Sequence, residues 1–496
     1  MPHNSAQPSV IIIGAGFGGL AMALELQRAG FDNLLILEKS DAVGGVWREN
    51  TYPGAGCDIP SPLYSLSSEP NLSWTRRFSR QGEILAYLQT IADQRAITPR
   101  IRFGREVAEA KFDESTGRWQ VWTTAGEHLE SDVLVHAVGQ LSRPALPRIA
   151  GIDSFDGPAF HSAEWDHTVE LTGKRVAVIG TGASAIQLVP AIAPEVAELT
   201  LFQRSAAWVL RKPDTEYKPW QQTMFRRLPA TRLAERFGIW LVCEGLSLSL
   251  VDVPVIRTLI ARLGTRNLHA EISDPALRAA LTPDYTPGCK RALFSNDYYP
   301  ALARPNSRVV TDPIAEITPT GIRTADGVLH EVDAIVYGTG FRASEFLAQI
   351  SIEGAGGVCL DAQWRDGARA YLGMAVPGFP NMFILYGPNT NLGGNSIVHM
   401  LESQARYITA MVSVLAERPG QFLEVRAEVE ERFDAGLQKR LNRSVWTLCS
   451  SWYRTASGRI SNNWPGTVSH YRLRTRRPKL ADYHLHAHTP LETGAR

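Results

Sequence analysis

The chain has 496 residues, a formal net charge of +1 and 44% hydrophobic residues, too long for one hydrophobic core and therefore divided into two or three units. The near-neutral balance leaves no overall field to select nucleic acid or an anionic membrane as partner. Five cysteines (Cys57, Cys243, Cys289, Cys359, Cys449), odd in number and never spaced as CxxC, fit a reducing compartment and exclude a zinc ribbon or a dithiol redox centre.

No basic stretch precedes the first apolar run, Val10 to Ile13, so that run reads as a strand rather than a signal segment, and the chain as cytoplasmic. It feeds a glycine-rich turn with Gly14, Gly16 and Gly19, a helix over 17–29, and a second strand, Leu34 to Leu37, that ends at Glu38. Glycines let the backbone approach a pyrophosphate at the helix N-terminus, and an acid at the end of the second strand accepts from a ribose diol. Gly44-Gly45-Val46-Trp47 follows, either as a segment passing a flavin or as a loop with a packed tryptophan. A buried strand, Asp132 to Gly139, closes this unit, and the proline-bearing stretch Leu141 to Pro147 is a linker.

A second turn follows the strand Val176 to Ile179, with Gly180, Gly182 and, as the third small residue, Ala185. Here the position equivalent to Glu38 is Arg204, again 24 residues past the first glycine. With Ser205 it offers donors to a 2′-phosphate, although a plain surface cation is the alternative. One chain with an acid at one turn and an arginine at the other is read as holding FAD and NADPH. From Pro219 to Leu281 the pattern turns helical. Within it, Phe237 to Val251 is apolar but contains Glu244 and, at about 15 residues, is shorter than the ~20 that span a bilayer. It reads as a buried or groove-lining helix, with a monotopic membrane contact as the alternative. Strands return at Arg308 to Thr311 and at Asp333 to Phe341. The tail from Arg472 to Lys479 is basic, and His484, His486 and His488 alternate beyond it, a solvated tail rather than a metal site.

Between the two turns lie Phe155, Gly157, His161, Trp165 and Asp166. Alone they look like a loop with a core phenylalanine and an ordinary histidine. Their spacing, however, matches the pattern F-x-G-x-x-x-H-x-x-x-W-(P/D), and with the two flanking turns the chain resembles the type I Baeyer–Villiger monooxygenases, a group of class B flavoprotein monooxygenases, over residues 8 to 480. Other segments support the resemblance. Tyr52-Pro53-Gly54-Ala55-Gly56-Cys57-Asp58 is similar to the stretch carrying an active-site aspartate, Asp58. Pro287-Gly288-Cys289-Lys290-Arg291 resembles the segment with a phosphate-binding lysine, Lys290, and the catalytic arginine, Arg291. Ser451-Trp452-Tyr453 is similar to the loop whose tryptophan meets the nicotinamide nucleotide. Gly387-Pro388-Asn389-Thr390-Asn391 and Asn462-Asn463-Trp464-Pro465-Gly466 look like the 4-hydroxyacetophenone monooxygenase branch. After Gly44-Gly45 the second tryptophan common in the family is missing.

The resemblance implies an α/β fold of two Rossmann-like dinucleotide-binding domains, for FAD and NADP, with a helical insertion in the NADP domain. Its expected divisions are 1–145 (FAD, first part), 146–213 (linker and NADP, first part), 214–286 (insertion), 287–337 (NADP, second part) and 338–496 (FAD, second part). It implies conversion of a ketone to an ester or lactone with NADPH and O2, through a flavin C4a-peroxide and a tetrahedral peroxy adduct. Arg291 and Asp58 are the expected catalytic residues. Gly14, Gly16, Gly19, Glu38, Gly45, Trp47, Tyr64, Gly180, Gly182, Ala185, Arg204, Ser205, Lys290 and Trp452 are expected to bind cofactor. S- or N-oxygenation is the alternative chemistry, and a non-catalytic NADPH-sensing module the alternative class. The expected partners are a small ketone or other oxygen acceptor and O2, with no nucleic acid and no membrane span, in a monomer or homodimer.

Overall fold

The computed structural model describes residues 7–250, 254–449, 453–455 and 457–487. Along the chain the elements that position the site are β1 (Val10–Ile13), α1 (Phe17–Arg28), β2 (Leu34–Leu37), β3 (Ile101–Arg102), β4 (Val133–His136), β5 (Ala159–His161), β6 (Arg175–Ile179), α2 (Ala185–Ile192), β7 (Glu198–Phe202), α3 (Pro219–Arg227), α4 (Pro229–Ser249), α5 (Pro254–Glu271), α6 (Pro275–Ala280), β8 (Ser307–Val310), β9 (Ala334–Tyr337), β10 (Met382–Ile384), α7 (Ile397–Ala416), β11 (Gln421–Val425), α8 (Val468–Thr475) and β12 (Tyr483–Ala487).

Two parallel sheets of five strands organise them. The first runs β10-β4-β1-β2-β3, the second β8-β7-β6-β9-β5. Continuous apolar runs such as Val10-Ile11-Ile12-Ile13 and Val176-Ala177-Val178-Ile179 suit strands buried on both faces, and all eight of these residues are buried. In each sheet the chain moves outward from one strand (β1 or β6) and later returns to its other side, at β4 or β9. The glycine turn follows that strand, at the topological switch point where such sheets bind ligands. The expected α/β fold of two dinucleotide-binding units is therefore present.

The units are joined by two segments lying side by side. Ala145 N donates to Gly340 O at 2.9 Å, Arg342 N to Arg143 O at 2.9 Å, and Thr339 Oγ1 to Ala145 O at 2.6 Å.

The insertion forms α3 to α6, and α4 reaches across to the first unit. Its Ile239 and Cys243 belong to the same apolar cluster as Ile12, Leu20 and Met22. Arg236 donates to Pro62 O, to Ser65 O at 3.2 Å and to Ser67 Oγ at 3.0 Å. Glu244 Oε1 accepts from Val468 N at 2.9 Å and Asn395 Nδ2 at 2.8 Å, and its Oε2 accepts from Ser469 N at 3.2 Å. A buried carboxylate thus satisfies the first amides of α8, where the helix dipole favours a negative charge. The opposite side of α4 is open, with Phe237, Leu241 and Val242 exposed. No helix among the described residues is long and apolar enough to cross a membrane.

Two expectations are corrected. The histidine-bearing end is not a solvated tail: Tyr483–Ala487 pairs antiparallel with β11, the buried Tyr483 anchors it, and His486 stacks on Phe422. His488 lies outside the described residues, among which no cluster of metal-ligating side chains occurs. Nor are the cysteines all free thiols, as the reading of a reducing compartment without a dithiol pair implied. Cys289 and Cys449, 160 positions apart, form a disulfide with Cα atoms 6.1 Å apart. A scan for CxxC could not find a pair brought together by tertiary structure.

Candidate active site

At the first turn, Gly14 has φ +104°, and a Cβ there would stand 2.7 Å from Ala137 O. A Cβ on Gly19 would meet Gly14 O at 1.9 Å, so the helix can approach the strand only without side chains at these positions. Gly45 lies against Gly16, where a Cβ on Gly45 would be 3.1 Å from Gly16 Cα. Glu38 is buried, and its two oxygens accept from Ala15 N (2.7 Å) and Ser40 N (2.8 Å). Each oxygen keeps a lone pair for a further donor such as a ribose hydroxyl. Beside the turn, Trp47 Nε1 donates to Tyr64 OH at 3.2 Å, and the Tyr64 ring stands edge-on to Phe17. Burial pushes the Tyr64 phenol well above its ordinary value, so it remains a neutral hydroxyl.

The second turn repeats this construction. Gly180 has φ +114°, with room for a Cβ denied by Gly338 O at 2.4 Å. Ala185 is buried at the start of α2. Past the end of β7, Arg204 is exposed and Ser205 half-buried. Lys290 comes to them from far along the chain: its Nζ donates to Ser205 Oγ at 2.8 Å and sits 4.6 Å over the Tyr285 ring. The Lys290 ammonium is held below its ordinary value, first by burial and then by the charge of Arg204, with Asp284 acting the other way. Two cations that repel each other around a hydroxyl make a place an anion would stabilise.

Arg291 follows Lys290, and its Nη2 donates to Asp58 Oδ1 at 2.8 Å. The Asp58 charge is the main reason its guanidinium is held above the ordinary arginine value. The loop carrying Asp58 belongs to the first unit, yet side chains of the second unit hold it. Gln187, on α2, accepts at Oε1 from Tyr52 OH (2.9 Å) and Gly56 N (3.2 Å), and its Nε2 donates to Gly56 O (3.0 Å). Lys212 Nζ donates to Cys57 O at 3.0 Å. Sequence reasoning missed Gln187 and Lys212. Gln187 stands just after Ala185 in the second turn, but nothing local marks its partners 131 and 135 positions away.

The segment from Phe155 to Asp166 supplies β5, the edge strand beside β9. A Cβ on Gly157 would strike the Phe155 ring at 2.7 Å and Asp333 O at 2.8 Å. Buried His161 accepts at Nδ1 from Ala163 N (3.1 Å) and lies edge-on to Phe341, in the returning connection. Its surroundings thus join strand and interdomain segment. The two asparagine-rich motifs meet as well: Asn389 N donates to Ser461 O (2.7 Å), Asn391 N to Asn462 O (2.9 Å) and Asn391 Nδ2 to Asn463 Oδ1 (2.8 Å). Of the expected site residues, Trp452 lies outside the described residues. Its neighbour Tyr453 is buried, and burial pushes its phenol up to about 12.

Comparison with known proteins adds an independent line. Residues 11–238 match a family model described as pyridine nucleotide-disulphide oxidoreductase. The chain is 45% identical over 493 residues to a Baeyer-Villiger monooxygenase of Pseudomonas aeruginosa, covering 99% of this chain and 93% of that protein. It is 44% identical over 492 residues to a Baeyer-Villiger monooxygenase of Streptomyces coelicolor, covering 98% and 94%. Among solved structures, an oxidized steroid monooxygenase bound to NADP superposes with a TM-score of 0.84 at 32% identity, over 95% of this chain and 97% of that one. OTEMO in complex with FAD and NADP superposes with a TM-score of 0.87 at 28% identity, over 97% and 99%.

Proposed function

The chain belongs to the family of Baeyer–Villiger monooxygenases, and we propose how its residues divide the reaction among them. The enzyme is an FAD-dependent monooxygenase that uses NADPH and O2 to convert a ketone into an ester or lactone. Bound FAD, once reduced by NADPH, supplies the activation of O2. The rest of the work belongs to side chains of this chain.

Gly14, Gly16, Gly19 and Gly45 leave the space a pyrophosphate and flavin need, and Glu38 takes the ribose of FAD, with Trp47 and Tyr64 walling the turn. Gly180, Gly182 and Ala185 play the corresponding part for NADPH. Arg204, Ser205 and Lys290 grip its 2′-phosphate, which relieves the repulsion between the two cations. Trp452 meets the nicotinamide nucleotide. Arg291 places a permanent positive charge where negative charge develops on oxygen during attack on the carbonyl, and a guanidinium cannot give up that charge by losing a proton. Asp58 keeps Arg291 oriented and charged. The observation that carries this division is the 2.8 Å contact between Arg291 and Asp58, one residue from each dinucleotide unit. A place near the 4-hydroxyacetophenone monooxygenase branch rests on the interlocked motifs around Asn391 and Asn463.

The test supplies purified, flavin-loaded protein with NADPH, O2 and a panel of ketones and sulfides. Ester or lactone from a ketone is the expected product. Sulfoxide alone, with every ketone recovered, would reassign the chemistry to S-oxygenation.

A further inference from the structure

The Cys289–Cys449 bond has no part in the reaction just described, yet it lies next to it. Cys289 is fully buried and immediately precedes Lys290 and Arg291. Its backbone N donates to Thr286 O at 3.2 Å, closing a turn in which Gly288 has φ +91°. That turn sits on Leu250 and Val445: a Cβ on Gly288 would meet their side chains at 2.8 and 3.5 Å. Val445 N in turn donates to Leu250 O at 3.0 Å. The partner, Cys449, is half-buried, which makes it the more accessible of the two to a dissolved reagent.

We propose that Cys289 and Cys449 are a reversible thiol-modification site, closed by hydrogen peroxide and reopened by dithiols, whose closed state holds the Lys290–Arg291 segment against residues 445–449. In closing, the Cys449 thiolate attacks one oxygen of the peroxide. The O–O bond breaks, leaving a sulfenic acid on Cys449 and a hydroxide that takes up the thiol's proton as water. The Cys289 sulfur then attacks the Cys449 sulfur, the S–O bond breaks, and the departing hydroxide leaves with the Cys289 proton as a second water. Two thiols lose two electrons and the peroxide gains them. In reopening, a dithiol attacks Cys449 Sγ and expels Cys289, which takes a proton. The second thiol of the reductant then frees Cys449, and the reductant departs as a cyclic disulfide.

Peroxide is the natural oxidant here, because O2 reduced at the expense of NADPH without oxygen transfer to a ketone is released as hydrogen peroxide. Each unproductive turnover would then tighten the segment that carries Arg291. Cys57 and Cys243 do not compete for peroxide: both are buried, and burial pushes their thiols up to about 12 and about 11.

The experiment treats the flavin-loaded protein with peroxide or with a dithiol, alkylates free thiols, and digests it with trypsin without further reduction. The expected result is that peptides 279–290 and 444–454 are joined after peroxide and separately alkylated after the dithiol. This mass readout does not depend on the role proposed for Arg291. In parallel, ester formed per NADPH consumed should fall when the wild-type protein is reduced. It should stay at the lower value, indifferent to reductant, in Cys449→Ser, and Cys359→Ser should respond like the wild type. Thiols alkylated after both treatments, or an ester yield that opening the bond leaves unmoved, would overturn the proposal.

Discussion

Replacing Arg204 by alanine separates the two halves of NADPH recognition, because the proposed role of this side chain is confined to the 2′-phosphate. A charge-assisted hydrogen bond to such a group contributes about 1.5–3 kcal/mol. Arg204 is exposed, so water and salt screen it and the lower end applies. That end, about 1.5 kcal/mol, corresponds to a factor of about ten in affinity. The Michaelis constant for NADPH should therefore rise about tenfold while that for NADH changes by less than about twofold. Lys290→Ala should act in the same direction, because Lys290 approaches Ser205 from the other side at 2.8 Å. In the double variant the two losses should not add, since each cation also repels the other in the absence of phosphate. The assay is steady-state NADPH and NADH oxidation by single and double variants at low and high salt. The wild-type preference for NADPH should shrink as salt rises, and that of Arg204→Ala, which keeps only Lys290, should shrink less. Equal changes for NADPH and NADH in Arg204→Ala would refute the reasoning.

Three other variants probe different links. Arg291→Ala should still oxidise NADPH but release hydrogen peroxide in place of ester, as peroxide and product assays read together; a normal ester yield would remove its assigned role. Gln187→Met keeps the volume but strips the three hydrogen bonds to Tyr52 and Gly56. Ester formed per NADPH should drop while anaerobic flavin reduction by NADPH stays near wild type, and unchanged coupling would show that Asp58 does not need the clamp. Glu430 is fully buried, with Arg369 3.6 Å away, and burial pushes its carboxyl from 4.5 up to about 7. The folded state therefore prefers the neutral acid. The stability this provides is complete below about pH 4.5 and is lost as pH rises through about 7. A difference of that size is worth on the order of 3 kcal/mol. Glu430→Gln should raise the unfolding midpoint at pH 8 and leave it nearly unchanged at pH 4; an equal shift at both would refute the titration argument.

What was legible in the sequence is what short-range spacing encodes. Gly14 and Glu38 read as a pair because a strand, a turn, a helix and a strand fix the interval between them, and Gly180 with Arg204 repeats that interval. The helical run beginning at Pro219 was equally readable. Its destination was not: the buried face of α4 meets the first unit, and nothing local in Arg236 or Glu244 marks Ser67 or Val468 as partners. The same limit hid Lys212, the Cys289–Cys449 bond and the pairing of Tyr483–Ala487 with β11. The segment from Phe155 to Asp166 is a related case. Its residues look bland singly, and their meaning lies in β5 completing a sheet and His161 meeting Phe341, neither of which spacing displays.

The arrangement around Asp58 has a consequence for how the enzyme works as a whole. Arg291, Lys212 and Gln187 all come from the unit that begins at β6, whereas Tyr52, Gly56, Cys57 and Asp58 come from the unit that begins at β1. The pair proposed to steer oxygen chemistry therefore exists only while the two units are apposed. A rotation at the double connection through Ala145 and Gly340 would have to break the Arg291–Asp58 contact and the Gln187 hydrogen bonds together, or carry the loop along. Gly54 favours the second outcome, since a Cβ there would stand 2.4 Å from Gln187 O, so the backbones of loop and α2 are packed against each other. The Asp58 loop is thus fastened to the nucleotide-binding helix α2 more firmly than its place in the chain would imply. Movement of the NADPH-binding unit would then act directly on the acid that orients Arg291.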